Sequence, residues 1–170
     1  MQKKVYGIDR NHAHPRALEL VKEDFFWDPA DDLAPFGSDD GDTAYFEYQK
    51  WREKNPDAPL KDCLIWTIES VGEVSFEDYN DKILSKEKIR EQVFSEDFDD
   101  YQYIFTLDIS VIATGFGQLV DEGKIDNEAK PIILLAINRL LLWSESLLNW
   151  EHAERFIKNL KLLIKILDKA

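Results

Sequence analysis

The 170 residues carry 34 Asp and Glu against 21 Lys and Arg, a formal charge of −13 that argues against nucleic acid or an anionic membrane surface as the main partner and favours a basic macromolecule. A hydrophobic content of 44% that includes ten Phe, six Tyr and five Trp excludes a disordered chain. Length and composition together predict one globular domain over residues 1–170, with a real core.

In chain order, the apolar run at 5–8 reads as a lone short strand, with few other strand signals to pair with it. Pro15 follows His14 and opens a short helix through Lys22. Residues 25–41 read as a loop punctuated by Pro29, Pro35, Gly37 and Gly41. Ser38 or Asp39 then caps a helix whose buried stripe is Ala44, Tyr45, Tyr48 and Trp51, and Asn55-Pro56 stops it. The segment 60–71 places Leu64, Ile65 and Ile68 at helical spacing, while 65–68 alone also suits a strand; Gly72 ends either.

Ser85 caps a helix to Phe94, and a longer one runs from about Asp99 to Asp121 with Tyr101, Phe105, Ile109, Ile112 and Phe116 on one side. Gly115 and Gly117 are expected to weaken its last turns. Gly123 is placed as a C-cap and Asp126 as the next N-cap, a connection so short that the two helices must be antiparallel neighbours. Pro131 predicts a kink or a late start, and residues 132–137 and 140–143, apolar nearly all round, predict the buried centre. The last helix, from about Trp150 to Asp168, turns Phe156, Leu160, Leu163 and Leu167 inward and leaves Lys158, Lys161, Lys165 and Lys169 as a basic stripe. The expected fold is mainly α: a single-domain helical bundle with at most one short N-terminal strand.

Charge divides unevenly along this bundle. Residues 1–123 hold 28 acidic and 13 basic residues, net −15, whereas 124–170 hold 6 and 8, net +2. No Lys or Arg interrupts the stretch between Lys22 and Lys50, where Asp28, Asp31, Asp32, Asp39, Asp40 and Asp42 are interleaved with Trp27, Phe36 and Tyr45. A second acid-only stretch, between Arg90 and Lys124, holds Glu96, Asp97, Asp99 and Asp100. Carboxylates supply field and aromatics supply contact area, so these thirteen residues are the candidate contacts for a basic protein partner. If both stretches fold onto one side, their fields add.

Catalytic signatures are few. His12 and His14, separated by one residue, have the HxH spacing of some metal-dependent hydrolases, and a small hydrolase built on them is the alternative function. Asp39-Asp40-Gly41-Asp42 has calcium-loop ingredients, but with Gly41 at the sixth position the first and third would be Phe36 and Ser38, so the spacing fails and an acid-rich helix start explains it better. Cys63, the only cysteine, lies in an apolar run and is expected to be buried and unreactive. No GxSxG, P-loop or GxGxxG is present, so no cofactor is expected. Absence of an apolar leader before Asp9, of any disulfide pair and of a run of roughly 20 apolar residues points to the cytoplasm rather than export or membrane insertion. A third alternative is a structural or regulatory helical module whose acid maintains solubility.

In size, acidity and the aromatic-acidic segment Phe25-Phe26-Trp27-Asp28-Pro29-Ala30-Asp31-Asp32, the chain resembles bacterial immunity proteins of contact-dependent inhibition and related polymorphic toxin systems. That resemblance implies a tight, specific complex with a toxin domain, frequently a basic nuclease whose cleft the acidic protein occupies or covers. The folds of such proteins are diverse, so no residue role is carried over.

Overall fold

The computed structural model describes residues 7–147 and 149–170. The run at 5–8 therefore lies partly outside the described residues, and its described part, Gly7 and Ile8, is irregular. Among the described residues there are seven α-helices and no strand: α1 (Pro15–Leu20), α2 (Asp39–Lys54), α3 (Leu60–Gly72), α4 (Lys86–Val93), α5 (Phe98–Glu122), α6 (Lys130–Glu145) and α7 (Ala153–Lys169). Short 3₁₀ turns at Arg10–His12, Asp24–Trp27, Phe76–Asp78 and Asp81–Leu84 fill the longer connections. The protein is all-α.

The caps lie largely where the residue types place them. Ser38 Oγ accepts from the Gly41 N–H at 3.0 Å, Ser85 Oγ from Lys88 at 3.3 Å, and the Asp97 carboxylate from Asp99 at 2.9 Å, so each opens its helix. The ambiguous segment 60–71 is helix, because its hydrophobics at 60, 64 and 68 all reach the core on one face. Asp126 is the exception: it does not cap α6, which starts four residues later with Pro131 in its first turn. Its carboxylate instead accepts from the Leu60 N–H at 2.9 Å and the Gln118 amide at 3.1 Å, joining α3, α5 and the connection after α5.

The buried centre is α5, not α6. Every residue from 107 to 120 is buried, whereas α6 exposes Pro131, Leu134 and Glu145. The sequence disguises this because α5 carries polar residues that find partners inside: Ser110 and Thr114 donate back to carbonyls one turn earlier, Asp108 pairs with Arg139, and Gln118 meets Asp126. Helix α5 is long and apolar enough to cross a membrane, but most of its apolar window is covered by the helices around it.

Gly115 and Gly117 do not weaken α5; they let neighbours approach. A Cβ on Gly115 would lie 2.3 Å from Ile133 Cδ1 of α6, and one on Gly117 would lie 2.9 Å from the Tyr45 ring of α2. Helices α5 and α6 run antiparallel, as the paired positions 108 with 139 and 115 with 133 require. Helices α2 and α5 run parallel: Asp40 at the start of α2 meets Thr106 in the third turn of α5, and Tyr48, two turns further along α2, meets Glu122 at the end of α5. Arg16 of α1 closes the far end, its guanidinium donating to the Gly123 carbonyl at 2.7 Å and the Lys169 carbonyl at 2.8 Å, the orphan acceptors after α5 and in α7.

Candidate functional site

The parallel start of α2 and α5 brings the two acidic stretches to one end of the bundle. Because Asp40 lies opposite Thr106, the first two turns of α5 project beyond the start of α2. There a cavity of about 390 Å³ is lined by Asp32, Asp39 and Asp40 from the first stretch, by Tyr101, Gln102 and Phe105 from α5, and by Trp143, Leu147 and Trp150 from the junction of α6 and α7. Its volume falls within the range of binding clefts.

The aromatic wall of this pocket is a cluster in its own right. The Trp143 ring packs 5.8 Å from Phe105 and 6.0 Å from Trp150, the latter edge-on. Trp143 is buried, and its indole N–H has no acceptor among the described residues. Trp150 and Phe105 are half-buried and Asp32 and Asp39 are exposed, so the pocket has an aromatic floor and an acidic rim. Phe98 stands on the same α5 face as Tyr101, Gln102 and Phe105, by its spacing of three, four and seven residues, and rises one turn above them. It is 72% exposed, as is Phe94 just before it, and both are flanked by exposed Glu96, Asp97, Asp99 and Asp100. Two large rings thus stand in water among carboxylates.

The expected contacts divide on this geometry. Trp27, Phe36 and Tyr45 are corrected: all three are buried in the core and offer nothing to a partner. Phe26 packs edge-on against Trp27 at 5.0 Å, Phe36 at 5.4 Å and Phe116 at 5.8 Å, and Phe36 lies 4.9 Å from Tyr45. These rings anchor the loop before α2 to α5, and hydrophobic burial holds them there. The hydroxyls of Tyr45 and Tyr48 donate to Asp121 and Glu122; burial first, and these carboxylates second, push both phenols far above their ordinary range.

Among the acids, Asp31 is engaged by Arg155 of α7 at 2.8 Å, and Asp40 accepts from the Thr106 hydroxyl at 3.1 Å. Asp28 closes a turn through the Ala30 N–H, Asp97 caps α5 and Asp100 accepts from Ser95. Asp32, Asp39, Asp42, Glu96 and Asp99 are exposed. The residues that the sequence reading missed are Phe94, Phe98, Tyr101, Phe105, Trp143 and Trp150. A signal existed for two of them: Phe94 and Phe98 lie next to the acids of the second stretch, and Phe98 extends the stripe of Tyr101 and Phe105 by one turn beyond the part that is buried. Nothing in sequence links Trp143 and Trp150 to the acidic loop.

The two histidines serve local structure. His12 Nδ1 is 2.7 Å from Asp9 Oδ2, a hydrogen bond that holds the Asp9 carboxyl below its ordinary range. His14 caps α1, its Nδ1 accepting from the Arg16 N–H at 3.1 Å, and its backbone N–H donates to Val120. Among the described residues no group of three or more His, Cys, Asp or Glu is arranged to hold a metal ion. No protein family, no curated protein and no solved structure matches this chain.

Proposed function

We propose that the protein binds a basic protein partner at the acidic end of the bundle, taking a Lys or Arg side chain of that partner into the pocket between α2, α5 and the α6–α7 junction. The observation that supports this most directly is the pairing of exposed Phe94 and Phe98 with an aromatic-floored, carboxylate-rimmed cavity. A cation over an aromatic face gains about 0.5 to 2 kcal/mol, more as water is excluded, and a rim carboxylate completes its coordination. The surrounding acids would steer encounter, and the aromatics would slow release. By its likeness to immunity proteins, the partner is a toxin domain such as a nuclease, neutralised in the cytoplasm when the acidic end covers its cationic cleft.

The test is capture from source cells at low salt with wild type, Phe98→Ala and an Asp32→Asn/Asp39→Asn/Asp99→Asn variant, followed by binding kinetics on what is retained. The expected partner is basic, toxic when expressed alone and neutralised by co-expression. The triple variant should slow association and flatten its salt dependence, while Phe98→Ala should raise the off-rate by about tenfold or more. Identical kinetics for all three proteins would move the interface elsewhere.

A further inference from the structure

A second polar site is built around Arg139 of α6, one helical turn before Trp143 and with a different lining from the acidic-end pocket. Asp108 is wholly buried and Arg139 is 6% exposed. They meet as a fork, Arg139 Nε donating to Asp108 Oδ2 and Nη2 to Oδ1, both at 2.7 Å. The Tyr79 hydroxyl donates to the same Oδ1 at 2.8 Å, and its ring lies 5.5 Å from the guanidinium carbon. Burial pushes the Asp108 carboxyl upward, and the guanidinium opposes that push. A buried pair of this kind contributes little net stability compared with apolar residues of the same volume, because both ions leave water. What it does supply is orientation: with Nε and Nη2 committed, Nη1 has no acceptor among the described residues.

Arg139 also lines a cavity of about 710 Å³ between α4, α6 and residues 76–84. The other charged groups around it are Lys82, Lys88, Glu77, Asp78 and Glu91, all exposed and none in an ion pair with another described residue. The lining thus carries three cations and three carboxylates. A polyanion such as phosphate meets three repelling carboxylates here, and a simple amine meets the guanidinium; a ligand bearing both signs satisfies each set. With Nε and Nη2 held by Asp108, Nη1 is the guanidinium nitrogen left to a carboxylate in the cavity that Arg139 lines.

We propose that this cavity binds a small zwitterion of the α-amino-acid class, its carboxylate on Arg139 Nη1 and its ammonium among Glu77, Asp78 and Glu91. The inference is independent of the acidic-end interface. The test is isothermal titration of the full chain with each standard α-amino acid and with dialanine, alongside inorganic phosphate and the matching des-amino and decarboxylated analogues. At least one amino acid or dialanine should bind saturably, and its single-charge analogues about tenfold or more weaker. Glu91→Gln and Lys82→Gln/Lys88→Gln change exposed residues and should keep the helical circular dichroism while each weakens that binding several-fold. Arg139→Lys keeps a charge for Asp108 and should abolish it. Failure of every zwitterion to bind, equal binding of the single-charge analogues, preference for phosphate, or unchanged affinity in the two exposed-residue variants would each overturn the proposal.

Discussion

Cys63 lies on the inner face of α3 with no exposed surface, and burial, only partly offset by a hydrogen bond with Thr67, pushes its thiol up to about 12. Thiol reagents act on the thiolate, so native protein should be inert to a colorimetric disulfide reagent near neutral pH and release one equivalent only in denaturant. Fast native labelling would mean that α3 opens locally. Asp126 makes a second residue-level prediction. Partial burial opposes its ionisation, but the Leu60 N–H and the Gln118 amide, with Lys124 and Arg52 nearby, outweigh burial and hold the carboxyl below its ordinary 3.8. The folded state then binds the proton less well than the unfolded one, so this contribution is present above pH 3.8 and is lost as pH falls through the lower folded value. Asp126→Asn should lower stability at neutral pH and make the acid limb of a stability–pH curve shallower; an unchanged limb would count against the role given to this carboxylate. The cap at Ser38 and the burial of Cys63 were legible from residue type alone. The role of Asp126 was not, because its partners Leu60 and Gln118 come from α3 and α5, and residue spacing near a helix start is indifferent to what folds over it.

Among the elements, α5 carries the architecture. Gly115 permits the contact with Ile133 of α6, so Gly115→Ala should destabilise by about 1 to 3 kcal/mol through overpacking, despite the better helix propensity of Ala. Removing the obstructing Cδ1 with Ile133→Val should recover part of that loss in a double-mutant cycle, and strict additivity in urea unfolding would show that the two residues do not meet. The helix periodicities, the Pro15 and Pro131 starts and the Gly123 stop were all readable, since they rest on local backbone chemistry. Which helix is central was not. The polar residues of α5 gave it a mixed pattern, and only their internal partners, Arg139 above all, make complete burial tolerable. Conversely, the near-continuous apolar run of α6 suggested the centre, yet Leu134 remains partly in solvent.

For the molecule as a whole, the charge of −13 is a cost, and the fold gathers Asp32, Asp39 and Asp40 of it around one pocket. Like charges gathered there repel, so raising NaCl from about 10 to about 200 mM should raise the melting temperature by screening them. The Asp32→Asn/Asp39→Asn/Asp99→Asn variant should melt higher than wild type at low salt and show a weaker salt response, because exposed acids kept for binding oppose stability. A lower melting temperature in that variant would make these carboxylates structural instead. The sequence by itself determined an acidic, mainly helical chain, the helix limits to within a few residues, and the two stretches where acid goes unanswered, because periodicity, capping and charge counts are local properties. Only the tertiary structure decided which aromatics face water. Trp27, Phe36 and Tyr45 turn inward because packing against Phe26 and Phe116 removes their rings from solvent, while Tyr101 and Trp150 meet Asp32 and Asp39 only because α2 starts beside the third turn of α5 and α6 returns antiparallel to α5. Proximity of that kind arises from long-range packing, which residue order alone does not encode legibly.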